Sequence, residues 1–392
     1  MTARSPAAIA IGAAAADAGI RHVHVVAWRD LDDVEAGGSE IHAAAVCREW
    51  AAAGLEVTCR TSFAQGQPPD IVRDGYRVER RAGRYLVFPR AAASAVAGRQ
   101  GRHDALIEIW NGMPFFAPLW STRPRLTFVH HVHGAMWRMV LPPRLAAAGE
   151  FMERRIAPPI YRRSQIVTLS ESSKSELVED LGFRDDRVAV VPPGIDDRFR
   201  PAGSRAPAPT VLAVGRLVPA KRFDALIVAA AQVKERVPEL RLDIVGEGME
   251  RRNLEAVVDR LGAGDWITLV GRCDDDELVA RYRSAWLLAS ASSHEGWGMS
   301  ITEAAACGTP AVVTDIAGHR DAVSDGETGL RCPDVRAMAP AMADLLLDDD
   351  RRQRMGVAAL HRAERFTWGG TASTLMDLLA AQARSRRAPS RR

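Results

Sequence analysis

Along this chain, short apolar runs alternate with longer stretches in which apolar residues recur at helical spacing. The first kind of segment fits buried strands, the second amphipathic helices. In the first half, strands are predicted at Val23–Ala27, from Val57 onward, and at Ala105–Ile109, Leu126–Val129, Ile166–Leu169 and Val188–Val191. A helix is predicted from Ser39 to Ala53, with Gly54 where a C-terminal capping glycine belongs. The pattern restarts in the second half, with strands at Val211–Val214, Leu240–Val245, Ile267–Val270, Trp286–Ala289 and Ala311–Val313. Strands alternating with helices argue for an α/β fold with parallel sheets covered on both faces.

Two such sheets divide the chain, and Asp196 to Pro209, rich in Pro, Ala and Arg, reads as the linker. The expected organisation is a frayed leader at 1–20, a Rossmann-like acceptor domain at 21–200 and a Rossmann-like donor domain at 201–370. A helix at 371–383 and a basic disordered tail at 384–392 complete it. Doubly wound domains bind ligands beyond the carboxyl ends of their strands, so the two are expected to face a central cleft. The opening Met1–Ile20 is Ala-rich, but Arg4 is its only early base and Asp17 interrupts it, which argues against an export signal.

Composition narrows the class. The chain has 392 residues, 47% hydrophobic and 26% charged, as in soluble globular proteins. No apolar run approaches the roughly 18 residues of a membrane span. Cys47, Cys59, Cys273, Cys307 and Cys332 are scattered without metal spacing and read as reduced thiols filling core space, which points to the cytoplasm. The net charge of +3 falls to −2 without the five arginines of Arg384–Arg392. Arginine also clusters from Arg73 to Arg102 and at Arg154, Arg155, Arg162 and Arg163. No aromatic-interleaved nucleic-acid module appears, so no nucleic-acid partner is expected.

The most informative stretch is Ser293-His294-Glu295-Gly296-Trp297-Gly298-Met299-Ser300-Ile301-Thr302-Glu303, running on to Gly308-Thr309-Pro310. A strand leads into a glycine turn, a small-residue helix follows, and a glutamate stands at each end of the turn. Free N–H groups at such a helix start suit a phosphate. The carboxylates suit hydroxyl-rich groups on either side of it. Sugar, diphosphate and ribose have that layout. At these residues the chain resembles the family 4 (group 1) retaining glycosyltransferases of the GT-B fold, whose signature is Glu, seven residues, Glu, then a Gly-x-Pro turn.

Other motifs extend the resemblance over about Val23 to Ala380. Gly37-Gly38-Ser39-Glu40 opens a helix after the first strand, and in the family this glycine loop meets the donor diphosphate or the acceptor. It lacks the dinucleotide fingerprint of NAD enzymes. Gly215-Arg216-Leu217-Val218-Pro219-Ala220-Lys221 follows the first strand of the second half. Fixed cations aimed at a departing diphosphate lower the barrier, and the family uses this Arg and Lys in place of a metal. Phe128-Val129-His130-His131-Val132-His133-Gly134 ends a strand. Its three histidines lack a carboxylate or cysteine partner, and strand alternation sends His130 away from His131 and His133, so a metal site is not expected. The family's sugar-contacting histidine falls on His133, with His131 as the alternative. Gly246-Glu247-Gly248 and Gly271-Arg272-Cys273 match the family's nucleoside loops.

The resemblance implies a retaining, metal-independent hexosyltransferase without a cofactor. Arg216 and Lys221 are to hold the diphosphate with N–H groups of Gly298, Met299 and Ser300. Glu303 is to hold the ribose, Glu295 the sugar hydroxyls, and His133 the sugar near the reacting carbon, with Gly37, Gly38, Gly246, Arg272 and Cys273 completing the donor site. The leaving phosphate takes the acceptor's proton. The C-terminal helix is to cross back onto the first domain, as in GT-B enzymes. The Ala- and Arg-rich composition suggests a high-GC genome, where members of the resembled family are often mannosyltransferases, so the resemblance implies GDP-mannose before UDP-glucose as donor. The acceptor stays open between a glycan, a lipid-linked carrier and a small polyol. A peripheral contact with the inner face of the membrane is considered for Met136–Arg144, which mixes large apolar residues with arginine. A non-catalytic nucleotide-sugar binder is the rival from another class. A pyridoxal-phosphate phosphorylase would need one of Lys174, Lys221 or Lys234. A metal-dependent GT-A enzyme would need Asp30–Asp33 or Asp274–Asp276, both read as solvated loops.

Overall fold

A computed structural model describes residues 4–387, which divide into two compact units, up to Gly194 with Thr367 onward, and Ile195–Phe366. The strands of the first unit are β1 (His22–Val26), β2 (Glu56–Thr61), β3 (Asp70–Arg73), β4 (Tyr76–Arg80), β5 (Ala105–Trp110), β6 (Arg125–Val129), β7 (Gln165–Thr168) and β8 (Val188–Val190). They form one sheet in the order β3-β4-β2-β1-β5-β6-β7-β8, parallel except for the β3–β4 hairpin. In the second unit, β9 (Thr210–Val214), β10 (Arg241–Val245), β11 (Ile267–Gly271), β12 (Leu287–Ser290), β13 (Ala311–Thr314) and β14 (Gly329–Cys332) form a parallel sheet ordered β11-β10-β9-β12-β13-β14. This is the expected pair of Rossmann-like sheets. β3, β4 and β14 were not anticipated, because Asp70–Arg80 is charged at nearly every other position and Gly329–Cys332 is too short to show a period.

Chain order fixes where each unit can bind. In the first, successive strands run outward from β1 to β2 and β4, then return to β5 on the other side of β1. In the second, they run from β9 to β10 and β11, then return to β12 beside β9. Each reversal parts the loops that leave two adjacent strands and opens a crevice at their carboxyl ends.

Three expectations at the boundaries need correction. Within the leader expected at 1–20, Pro6–Ala18 is not frayed but a helix, α1, capped by Ser5 and by left-handed Gly19, and it buries Ala8, Ile11, Ala15 and Ala18, while residues 1–3 lie outside the described residues. Those small residues read as a leader only because their partner lies at the far end of the sequence. It is the last helix, Trp368–Arg387, which packs on α1, on α2 (Gly38–Ala52) and near β6, all within the first unit. Trp50 of α2 is fully buried and its Nε1 donates to the Ala372 carbonyl at 3.0 Å. The tail is helical through Arg387, with Arg384 2.9 Å from Asp17, while 388–392 lies outside the described residues. The segment 196–209 is not a free linker either. Arg205 donates to the carbonyl of Ala285 and Arg283 Nε to that of Arg200, and Phe199 packs edge-on to Tyr282, so this segment belongs to the second unit. The chain passes between units at Gly194–Ile195 and again at Phe366–Thr367.

Candidate functional site

In the second unit, backbone hydrogen bonds tie the loops at the carboxyl ends of β9, β10 and β11 together. Gly215 N donates to Val245 O (3.0 Å), Leu217 N to Glu247 O (2.9 Å) and Gly246 N to Gly271 O (2.8 Å). Gly246 sits at φ 140°, and a Cβ there would lie 1.9 Å from the Gly215 carbonyl oxygen, so only glycine allows this approach. Arg216 projects from this assembly into solvent, as does Arg272, while Cys273 is half-buried.

Across the reversal between β9 and β12, the two loops meet. Ser293 N donates to Ala220 O at 2.8 Å, and the Lys221 ammonium pairs with Oε1 of Glu295. Ser292 Oγ adds a hydrogen bond to the same oxygen at 2.8 Å. Burial alone would push the Glu295 carboxyl up, but Lys221, His319 and Ser292 together hold it below the usual carboxylate range. His319 is fully buried beneath the turn, its Nδ1 2.8 Å from Thr314 O. The sequence assigned Lys221 and Glu295 to different parts of a ligand, and the structure makes them partners across the crevice.

Eight residues on, Glu303 lies in the helix Met299–Ala306, whose N-cap is Gly298 at φ 96°. Tyr282 donates its hydroxyl to Glu303 Oε2 at 2.7 Å, and burial raises the Glu303 carboxyl to about 7. The two carboxyls are thus shifted in opposite directions, Glu295 down and Glu303 up. Met299 and Ser300 are half-buried at the helix start.

The first unit has its own crevice, between β1 and β5. Gly37 caps α2, and its N–H donates to Glu40 Oε2 at 2.8 Å. Beside Gly38, Ser39 Oγ accepts from Asn111 Nδ2 at 2.9 Å, bridging the loops that leave β1 and β5. His131 and His133 stack with ring centroids 4.5 Å apart, and His133 lies 5.0 Å from the Trp137 ring. Glu153, buried on a π-helical turn at Met152–Ile156, accepts from His133 N (2.7 Å), Gly134 N (2.9 Å) and Trp137 Nε1 (3.2 Å). His130 turns the other way and is buried against His42 and Phe128.

Among the predicted site residues, Arg216, Lys221, Gly246, Arg272, Cys273, Glu295 and Gly298 lie in or beside the segments that follow strands of the second unit, with Met299, Ser300 and Glu303 in the helix after Gly298, and Gly37, Gly38 and His133 follow strands of the first. Sequence reasoning missed Ser292, His319, Tyr282, Asn111 and Glu153. Ala317-Gly318-His319 after an apolar strand was a usable signal, whereas Tyr282 reads as ordinary helix core. The acidic string at Asp30–Asp33 is a correction: it is not a solvated loop. Asp30 is 3% exposed and held by Arg73 (2.7 Å) and Arg80, and Asp33 and Glu35 by Arg84 at 3.3 and 2.9 Å. These arginines come from the unanticipated hairpin and the loop after it, and they fix the path from β1 to Gly37. Asp274 caps the helix Asp275–Ser284. Trp137 is tucked against Gly112 and Gly149, and Arg138 pairs with Glu150 at 2.7 Å.

The chain is similar to known proteins over most of its length. The model of Glycosyltransferase Family 4 matches residues 36–199, and that of Glycosyl transferases group 1 matches residues 195–362. A D-inositol 3-phosphate glycosyltransferase of Streptomyces bingchenggensis is 29% identical over 88% of this chain and 85% of its own. A GDP-mannose-dependent alpha-(1-6)-phosphatidylinositol monomannoside mannosyltransferase of Mycolicibacterium smegmatis is 31% identical over 81% of this chain and 87% of its own. Among solved structures, sucrose-phosphate synthase from Thermosynechococcus elongatus superposes with a TM-score of 0.78 at 21% identity, covering 91% of this chain and 97% of that one.

Proposed function

The chain belongs to the group 1, family 4 retaining glycosyltransferases of the GT-B fold, and on that premise we propose that it moves a hexose from a nucleotide sugar to an inositol-phosphate acceptor. The observation that carries the donor half is the Lys221–Glu295 pair across the β9/β12 crevice, with Arg216 exposed on the loop that leaves β9. Departure of a nucleoside diphosphate concentrates negative charge on its β-phosphate. Arg216 and Lys221 meet that charge as fixed cations, so the step needs no essential metal. N–H groups of Gly298, Met299 and Ser300 add the field of a helix start. Lys221 exchanges its hold on Glu295 for the phosphate, which frees Glu295 to accept from sugar hydroxyls. Glu303 accepts from the ribose, and the loops at Gly246, Arg272 and Cys273 hold the base.

In the first unit, His133 contacts the sugar near its anomeric carbon, with His131 as the alternative, and Gly37 and Gly38 admit the acceptor or the diphosphate closely. The departing phosphate oxygen takes the acceptor's proton on the face it leaves, which retains the anomeric configuration. Mannose from GDP-mannose is the first donor to test, because one relative aligned over most of its length is GDP-mannose-dependent. UDP-glucose is the second. The acceptor assignment rests on the inositol phosphate common to the names of two such relatives. No helix among the described residues is long and apolar enough to cross a membrane. For a lipid-linked acceptor, the exposed Leu145, Phe151 and Ile156 beside Arg144 and Arg155 offer a peripheral contact with the inner membrane face. Five free thiols fit a cytoplasmic setting.

A thermal-shift panel of GDP, UDP and their sugars tests the donor, since a bound ligand stabilises by mass action. Product release from the shifting donor with inositol phosphate or phosphatidylinositol then tests the acceptor. A shift without turnover on any acceptor would make the protein a nucleotide-sugar binder instead.

A further inference from the structure

The arginines between 73 and 102 divide into two sets. Arg73, Arg80 and Arg84 are occupied by the acidic loop after β1. Arg77, Arg81, Arg90, Arg99 and Arg102 join Arg60 around a groove of about 670 Å³ within the first unit; Arg77 and Arg81 also pair with Asp70, at 3.5 and 2.5 Å, and Arg77 with Glu79 at 3.1 Å. An α/β sheet covered on both faces should be apolar on both. Here one face of β2 and β4 is not. Glu56, Thr58 and Arg60 alternate along β2, and Arg77, Glu79 and Arg81 follow the same alternation along β4 and just past it, with Thr58 beside Arg77 and Arg60 beside Glu79. The helix α3 (Val87–Val96) seals only the neighbouring part of the sheet, where Val87, Phe88 and Ala91 pack with Val26 and Leu106. Its C-terminal half, at Ala93 and Ser94, walls the groove.

The charge in this groove is not balanced from within. Six arginines face two glutamates, Glu56 and Glu79. Arg60 is 4% exposed and gives its guanidinium to Ser94 Oγ (3.0 Å) and the Arg90 carbonyl (3.4 Å), neither of them charged. Its Nε is buried without a hydrogen-bond partner. Among the described residues Arg90, Arg99 and Arg102 make no ion pair, and all three are exposed at the rim. Burial lowers the Arg60 pKa, and Arg81 and Arg90 add to that against the pull of Glu79. A buried, incompletely bonded guanidinium ringed by more guanidinium groups is costly when the negative charge among them falls short of the positive.

We propose that this groove is a second ligand site, for a compact compound carrying several phosphate charges. Guanidinium forks match phosphate oxygens in pairs, and the volume lies within the roughly 300–1,000 Å³ of small-molecule sites. The lining holds no Phe, Tyr, Trp, Leu or Ile, so it offers no apolar wall for an acyl chain. None of the groove's residues belongs to the set at the strand ends, Gly37, Gly38, Asn111 and His133, so the site is separate from the transfer chemistry.

Calorimetry with sodium tripolyphosphate on the full chain tests this. The Arg216→Ala, Lys221→Ala double variant is the background, so that the proposed donor site does not contribute. One equivalent should bind. Adding Arg99→Glu with Arg102→Glu, or separately Arg90→Glu, should weaken binding roughly tenfold or more, the scale of losing a charge-assisted hydrogen bond. These residues are exposed, and an unchanged melting curve without ligand confirms that the variants fold. No binding in the background protein, or equal binding in both groove variants, overturns the proposal. Vesicles bearing a phosphoinositide headgroup test the other source of the same chemistry. Vesicle binding weakened by Arg99→Glu with Arg102→Glu, or absent beside intact tripolyphosphate binding, supports the groove, while tripolyphosphate binding that the groove variants leave unchanged overturns it.

Discussion

Replacing Lys221 by alanine separates two roles of one ammonium group. In the unliganded structure it neutralises Glu295, and the two side chains are 22% and 15% exposed. Breaking a fully buried pair costs about 3–5 kcal/mol, and an exposed pair is worth at most about 1 kcal/mol. This pair lies between the two, so a stability loss of about 1–2 kcal/mol and a melting shift of a few degrees are expected. Turnover should fall further. Removing one donor aimed at developing charge costs about 2.7–4 kcal/mol, or 100- to 1,000-fold in kcat. Release of nucleoside diphosphate at saturating donor measures the rate, and a thermal melt measures the stability. Glu295→Gln in the Lys221→Ala background separates the roles. If Lys221 serves the diphosphate, removing the charge on Glu295 restores stability but not turnover. Full activity in Lys221→Ala, or activity regained in the double variant, would refute the assignment.

Four further outcomes are expected. Arg216→Ala should slow turnover about 100-fold with little change in stability, because Arg216 is exposed. Glu303 has its folded pKa raised from 4.5 to about 7 by burial, so it gains its charge only as pH rises through 7. As a carboxylate it accepts the ribose hydroxyls better, so calorimetry should show nucleoside diphosphate binding tighten from pH 6 to 8, and Glu303→Gln should remove the part of that trend owed to this group. His24 and His42 are held neutral, with pKa values lowered from 6.5 to about 3 by burial. Unfolding then takes up protons below pH 6.5, and stability should fall by roughly 1.4 kcal/mol per pH unit for each histidine, less so in His42→Phe. Trp137→Ala removes the ring beside His133 and should lower kcat without changing nucleoside diphosphate affinity, and equal losses in both would count against a first-unit role.

Much of this architecture was legible because parallel strands buried on both faces announce themselves as apolar runs, and because glycine marks the turns where β9, β10 and β11 end. Glu295 and Glu303 were readable from their spacing. Their states were not: Tyr282, His319 and Ser292 set them from elsewhere in the chain, and no local period encodes such a contact. α1 was misread because its small residues acquire meaning only against the last helix. Asp30 and Asp33 looked solvated because the arginines that bury them lie in the β3–β4 hairpin and the loop after it. That hairpin's charged alternation offers no apolar run to mark a strand, although the same alternation forms one wall of the arginine groove.

The central claim is that the second unit binds a nucleoside diphosphosugar through Arg216 and Lys221 and releases the diphosphate without a metal. Incubating the protein with GDP-mannose and phosphatidylinositol or inositol phosphate, with and without chelator, and following both diphosphate release and the anomeric configuration of the product measures this directly. The account predicts release at the same rate in chelator, about 100-fold slower in Arg216→Ala and Lys221→Ala, with an α-linked mannoside as product. Release abolished by chelator, unaffected by both substitutions, or yielding the inverted anomer would contradict it.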